Sequence, residues 1–367
     1  MKIGIITLDT SNNNYGQKLQ LYALQTFLAR KEVEVWHEKA EMKIHSLTIH
    51  RVVKAFNPNA WVEYISSRKR ILKNMKVDFV QDRKFTTFEK RWINTLSKCC
   101  DIYFVGADQV WNFIGFYGKN FNNFLTVFFL KKYKNVKKIS YAASWGSANP
   151  KGRYAKKIAE CLKDFDYVSV REKDGIDKCK VCGRDDAVVV PDPTLLLQPN
   201  DYRELYKDEE FTRKEEPYVF FYYLDNGGKF DKQSVFEWAS CKGLNVVYVT
   251  ANGVVDDYEK CYPTIPQWIW LVEHAEYVVT NSYHGTIFSL LFERKFGSIM
   301  LNGENAGMNS RFDTLWEICN VSPRIIEGSD FSILEKPAEK IKVDYTESDK
   351  LWAKLKQWDE ERSGNKS

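Results

Sequence analysis

Short apolar runs that break into a polar cluster and then into a helical pattern recur along this 367-residue chain, and that alternation constrains the fold most. Lys2–Leu8, Ile102–Val105, Lys138–Ala143, Tyr167–Val170 and Ala187–Val190 read as strands, with polar loops or helices between them. The pattern predicts a parallel sheet covered on both faces by helices, every strand delivering its polar residues to one rim. The clearest unit is Tyr277-Val-Val-Thr-Asn-Ser-Tyr-His284-Gly-Thr-Ile-Phe-Ser-Leu-Leu291. A buried strand breaks there at Asn281, Ser282, His284 and Gly285 before an apolar helix face. Such a turn leaves N–H groups free at a helix start, which suits a phosphate or carboxylate. Gly285 admits a close backbone approach, and an imidazole can move a proton at neutral pH. The competing account has His284 capping the helix or bonding inside the core. Ligands of open α/β sheets bind at the carboxyl ends of strands, which favours the functional account.

Composition narrows the classes. With 44% hydrophobic residues the chain can bury a large core and divide in two. The run Phe124–Leu130 is far too short to span a membrane, and Met1–Leu8 reads as a strand rather than a signal peptide. The expected location is therefore cytoplasmic. Eight cysteines show no disulfide rhythm; Cys179-x-x-Cys182 lacks a second pair or a nearby histidine, so reduced thiols and no metal are expected. Of the five histidines only His284 sits at a strand-to-helix turn.

Charge is uneven. The segment Arg51–Lys98 carries +8 within a chain of net +5, leaving −3 for the remainder, and Phe56, Trp61, Phe79, Phe85, Phe88 and Trp92 are interleaved with its basic residues. A second basic cluster, Lys131–Lys138, follows Phe124–Leu130. No nucleic-acid recognition motif accompanies either, so no nucleic acid is expected. Peripheral contact with the anionic inner membrane face, or with a lipid diphosphate carried there, is the sharper reading; a solvated helical face is the plain one.

The expected organisation is an N-terminal α/β domain over residues 1–200, with the basic aromatic insertion at about 43–98. A second α/β domain covers 217–335, and a C-terminal helix and tail cover 336–367. The boundary falls in Leu197–Pro217, which contains Pro199, Pro217 and the charged run Lys207–Glu210. The second domain takes in Tyr218–Leu224, a helix at Lys232–Cys241, a strand at Asn245–Thr250, a helix at Gln267–Glu273, the His284 unit and a strand at Phe296–Leu301. A charged helix at Glu347–Glu361, with Leu351, Leu355 and Trp358 on one face, is placed to pack back across the domains.

Seven blocks then carry a resemblance. They are Asn13-Asn-Tyr-Gly16, Val105-Gly-Ala-Asp-Gln-Val-Trp-Asn112, Ser140-Tyr-Ala-Ala-Ser-Trp-Gly146, Val168-Ser-Val-Arg-Glu172, Asp192-Pro-Thr194, Thr280-Asn-Ser-Tyr-His-Gly285 and Asn309-Ser-Arg311. In that order the chain resembles the polysaccharide pyruvyl transferase family from residue 1 to about 330. The resemblance implies an α/β fold of two Rossmann-like domains facing a cleft, glycosyltransferase-B-like. It implies transfer of a pyruvyl group from phosphoenolpyruvate to two hydroxyls of one sugar, forming a ketal and releasing phosphate, without a cofactor. The acceptor would belong to a cell-surface polysaccharide or its lipid-linked precursor.

Residue types fit that chemistry. Phosphoenolpyruvate carries a phosphate and a carboxylate, so cationic and N–H donors are needed at two nearby points. Arg171 suits one, its alternative being an ion pair with Glu172 or Asp192. The helix start at Ser282–Gly285 suits the other, and the resemblance makes His284 the acid. Some relatives have an arginine two positions before that histidine; here the position is Ser282, and Arg311 is the candidate replacement. On the acceptor side Asp108, Gln109 and Trp111 combine a base, an amide and a stacking face, with Asn14 and Tyr15 beside them. For Trp111 interdomain packing is the alternative. Two other functions compete: a nucleotide-sugar glycosyltransferase of the same fold, and a non-catalytic carbohydrate-binding protein.

Overall fold

The computed structural model describes residues 1–8, 14–31, 33–38, 86–88, 100–116, 118–210, 216–224, 230–250, 254 and 256–364. The basic aromatic segment therefore lies outside the described residues, apart from the short strand at Thr86–Phe88. Among the described residues no helix is long and apolar enough to cross a membrane.

Two parallel sheets organise the chain. The first contains β1 (Lys2–Ile6), β2 (Glu34–Glu38), β3 (Thr86–Phe88), β4 (Ile102–Val105), β5 (Lys137–Ala143), β6 (Tyr167–Val170) and β7 (Val188–Val189), in the order β3-β2-β1-β4-β5-β6-β7. The order reverses direction between β1 and β4, the switch point at which Rossmann-like sheets open a crevice. The second contains β8 (Tyr218–Tyr223), β9 (Asn245–Thr250), β10 (Tyr277–Thr280) and β11 (Lys295–Ser298), in the order β11-β10-β8-β9. Its reversal lies between β8 and β10. All six residues of β8 and all four of β10 are buried, as expected where helices cover both faces.

Helix starts are specified locally. Asn14 caps α1 (Tyr15–Ala29) by accepting from the Gln17 amide at 3.3 Å. Further on come α2 (Lys119–Phe128), α3 (Gly152–Leu162), α4 (Asp174–Val181), α5 (Pro199–Arg203) and α6 (Lys232–Cys241). Thr264 and Gln267 form a reciprocal capping box on α7 (Ile265–Glu273), and Ser282 caps α8 (Tyr283–Leu291). Every residue of α8 is buried, which a helix wedged between two layers requires. The series closes with α9 (Ser310–Cys319) and α10 (Thr346–Gly364).

The Leu197–Pro217 stretch is more than a connector. Tyr202 of α5 is fully buried, packs against Tyr22 and Phe288, and donates its hydroxyl to the Thr194 carbonyl at 2.8 Å. One apolar cluster runs through α1, this wedge, α7 and α8, so the two sheets share a continuous core. Helix α10 returns to the first sheet: Trp352 packs on Phe27, Phe104 and Tyr141, with Leu351 and Leu355 buried beside it. The two switch points thus face the same seam.

Candidate active site

The carboxyl ends of four neighbouring strands fill that seam. β4 delivers Asp108, β5 Ser144, β6 Arg171 and Glu172, and β7 Asp192; β10 of the other sheet delivers His284 through α8. Asp108 holds a left-handed backbone, φ +63°, which a short polar side chain tolerates, and it pairs in an isolated bridge with Ala143.

Arg171 is the hub and is 1% exposed. Its Nη1 donates to Oδ2 of Asp192 at 3.1 Å, Nη2 lies 3.5 Å from Oδ1 of Asp108, and Nε lies 3.7 Å from Oε2 of Glu172. Its guanidinium stacks over the Tyr283 ring at 4.5 Å. Burial opposes the charge, but these carboxylates hold it above the usual arginine value. The ion-pair alternative for Arg171 is therefore the observed geometry. Glu172 accepts from the Ser144 hydroxyl at 2.7 Å and the Trp145 amide at 2.9 Å, while burial raises its carboxyl against the pull of Arg171.

Asp192 faces both sheets. Oδ1 accepts from the Thr194 amide at 3.0 Å and hydroxyl at 2.8 Å, while Oδ2 takes Arg171 and lies 3.4 Å from Nε2 of His284. Burial opposes its ionisation, yet His284, Arg171 and the Thr194 amide hold the carboxyl well below the usual range. Sequence reasoning assigns Asp192 no part in the site beyond a possible ion pair, because nothing in an isolated Asp-Pro-Thr reveals its partners.

Gly16 brings the sheets together at His284. A methyl on Gly16 would lie 2.1 Å from Nδ1, so only a bare backbone lets α1 reach the imidazole. Gly16, His284 and Arg311 are each the second residue of their helix. Gly16→Ala is expected to cost about 1–3 kcal/mol in urea unfolding, the range for overpacking. That cost should disappear in a His284→Ala background, where the space is released; persistence there would place the strain elsewhere.

Arg311 differs from Arg171. Its guanidinium packs over Tyr283 and Phe312, each at 5.4 Å, but no ion pair joins it to a carboxylate among the described residues. Burial, reinforced by the Arg171 charge, brings it down to about 10. Among the described residues, Nε of Arg311, Nε of Arg171, Oε2 of Glu172 and Oε1 of Gln17 are buried without a hydrogen-bond partner. Orphaned donors and acceptors gathered in one place are what a polar ligand would satisfy. Asn14, Gln17 and Arg311 are the partly exposed members and mark the approach.

Other expected site residues are placed differently. Ser282 and Gly285 complete the helix start, the Gly285 amide donating to Ser282 Oγ at 3.2 Å; the bare Cα of Gly285 faces Thr280. The amides of Tyr283 and His284 remain the first-turn donors without an intrahelical acceptor. Tyr15 does not face a sugar: it stacks on Trp268, meets Tyr222 edge-on and donates to the Pro263 carbonyl at 2.9 Å. Trp111 is fully buried, stacked on Phe129 beside Trp145, with its indole N–H on the Phe128 carbonyl, so no ring face is free. Gln109 accepts from Asn112 at 2.9 Å. Asp108 stays in the cluster, its Oδ2 accepting from Gln17 at 2.9 Å. Cys179 and Cys182 are buried thiols that burial pushes up to about 12.

Paired parallel sheets with apposed switch points and a buried histidine–carboxylate–arginine cluster in the seam define an α/β protein of the glycosyltransferase-B type. The chain belongs to the polysaccharide pyruvyl transferase family, whose model matches residues 14–301, and that membership makes it a transferase. No curated protein matches the chain at a significant level. Among solved structures it is similar to the S. aureus MnaA–UDP co-structure (11% identity, TM-score 0.46, covering 91% of this chain and 85% of that one). It is also similar to Methanocaldococcus jannaschii UDP-GlcNAc 2-epimerase in complex with UDP-GlcNAc and UDP (11% identity, TM-score 0.48, 94% and 95%). A third is the glycosyltransferase SnogD from Streptomyces nogalater (10% identity, TM-score 0.36, 90% and 87%).

Proposed function

We propose that the protein moves the pyruvyl group of phosphoenolpyruvate onto two hydroxyls of one sugar in a cell-surface polysaccharide or its lipid-linked precursor. The observation that carries this reading is Arg311, a guanidinium without a carboxylate partner among the described residues, one ring away from Arg171, which three carboxylates surround. A cation left unpaired at a helix start suits an anionic donor group. His284 protonates the donor methylene carbon while a sugar oxygen bonds to the adjacent carbon and gives up its proton, to which we assign Asp108. The second hydroxyl of the sugar then bonds to the same carbon as its bond to the phosphate oxygen breaks. Phosphate leaves carrying the proton of the second hydroxyl, while Asp108 releases the first to solvent and His284 takes one up, so both side chains are restored and the two hydroxyl protons are balanced by the new methyl C–H and the phosphate. No cofactor is required.

Purified protein incubated with phosphoenolpyruvate and a panel of lipid-linked sugars should release phosphate only when an acceptor is present. Absence of release with every acceptor, or release of a nucleoside diphosphate from a nucleotide sugar, would overturn the reading. Arg311→Gln should raise the calorimetric Kd for phosphoenolpyruvate about 10- to 100-fold, the range for losing a charge-assisted contact. Unchanged affinity would remove Arg311 from the donor site.

A further inference from the structure

Among the described residues, Asp192 is the one carboxylate in contact with both a residue of its own sheet and the histidine of the other. We propose that Asp192 is a positioning residue that holds a proton on Nε2 of His284, so that Nδ1 is the nitrogen that exchanges a proton with substrate. The inference rests on the reading of His284 as the proton donor.

Three observations carry it. The carboxylate cannot turn: Oδ1 is fixed by the amide and hydroxyl of Thr194, and Oδ2 by Nη1 of Arg171 at 3.1 Å. Arg171 in turn is held by Asp108 and Glu172 and by the face of Tyr283, the residue before His284. Second, Oδ2 lies 3.4 Å from Nε2, a buried nitrogen that has no other hydrogen-bond partner among the described residues. An anionic oxygen can only accept, so the nitrogen facing it carries the hydrogen. The separation is somewhat long for a hydrogen bond; such contacts commonly tighten when substrate binds. Third, Nδ1 lies beside the bare Cα of Gly16 in the first turn of α1, and unlike Nε2 it is not among the side-chain atoms buried without a partner. After Nδ1 gives up its proton, the neutral ring keeps the Nε2 hydrogen toward Asp192. The ring then needs no rotation before it is reprotonated.

Asparagine at 192 would reverse this. Its carbonyl would be retained by the Thr194 donors, turning the NH2 group toward Arg171 and His284. Donors would then face donors, and Nε2 would relieve the conflict by becoming the acceptor, moving the hydrogen to Nδ1.

The test is nitrogen NMR of protein labelled at histidine, with the His284 signals assigned by their loss in His284→Gln. The neutral ring of the unmodified protein should show a protonated Nε2 and a bare Nδ1. In Asp192→Asn the pattern should invert, and kcat should fall about 100-fold or more with little change in the KM for phosphoenolpyruvate. An Nδ1-protonated ring in the unmodified protein overturns the proposal, and so does an Asp192→Asn variant that keeps both tautomer and kcat. If Asp192→Asn does not fold, the spectrum of the unmodified protein decides alone. Turnover retained by His284→Gln would instead defeat the proton-donor reading, a result distinct from either tautomer outcome.

Discussion

Arg171→Met is expected to destabilise the fold by about 3–5 kcal/mol, the usual cost of stripping one partner from a buried ion pair. The loss follows from the geometry: Asp108, Glu172 and Asp192 all lean on one guanidinium, and their side chains are no more than 8% exposed. Methionine fills much of the volume but leaves three carboxylates without a counter-charge. Urea unfolding measures it directly, as a lower midpoint with an unchanged slope. Arg311→Met is the control, since neutralising a cation with no carboxylate partner among the described residues breaks no ion pair, and methionine keeps an apolar contact with the Tyr283 and Phe312 rings. Its stability should be unchanged or higher, while donor binding suffers. Equal destabilisation by both substitutions would show that Arg311 is compensated after all.

His284→Gln is expected to slow transfer by about 10²- to 10⁴-fold, the range for removing a general acid. Glutamine can still present an N–H toward Asp192, so the buried carboxylate need not lose its neighbour and unfolding should stay cooperative. Initial rates of phosphate release, read beside calorimetric binding of phosphoenolpyruvate, separate chemistry from affinity. Near-normal turnover would remove the imidazole from the reaction. Loss of binding and cooperative unfolding together would return His284 to the core.

Much of the framework is legible in the chain because apolar runs and caps are local signals. The limits Lys232–Cys241 and Asn245–Thr250 read from sequence coincide with α6 and β9. Four helices escape that reading, α5 because its short turn at Pro199–Arg203 falls in the stretch read as the boundary. The apolar residues of α9, Phe312, Leu315, Trp316 and Cys319, lie at helical spacing but follow directly on a polar motif. α4 buries only Gly175 and Cys179, so it has almost no apolar stripe to detect, and the aromatic run in α2 does not distinguish strand from helix. Within the site, His284, Arg171 and Asp108 are visible because each sits where a strand ends. Tyr15 and Trp111 mislead because an aromatic beside polar residues looks alike whether it faces a sugar or a core; only tertiary burial separates the two. Asp192 is legible only as a possible ion-pair partner of Arg171; its contact with His284 is hidden because that residue comes from the other sheet.

The return of α10 to the first sheet sets the order in which the molecule can be completed. Trp352 covers Phe104 and Tyr141, and Ser348 meets the Tyr141 hydroxyl across 207 residues of chain. Arg362 pairs with Asp101 at the far end of the same helix. During synthesis the strands of the first sheet emerge early, yet the surface reserved for Trp352 stays open to water until the second sheet has been made. A nascent chain therefore carries an aromatic patch through most of its elongation, and such patches invite aggregation or chaperone capture. The half that is translated first is the last to be sealed.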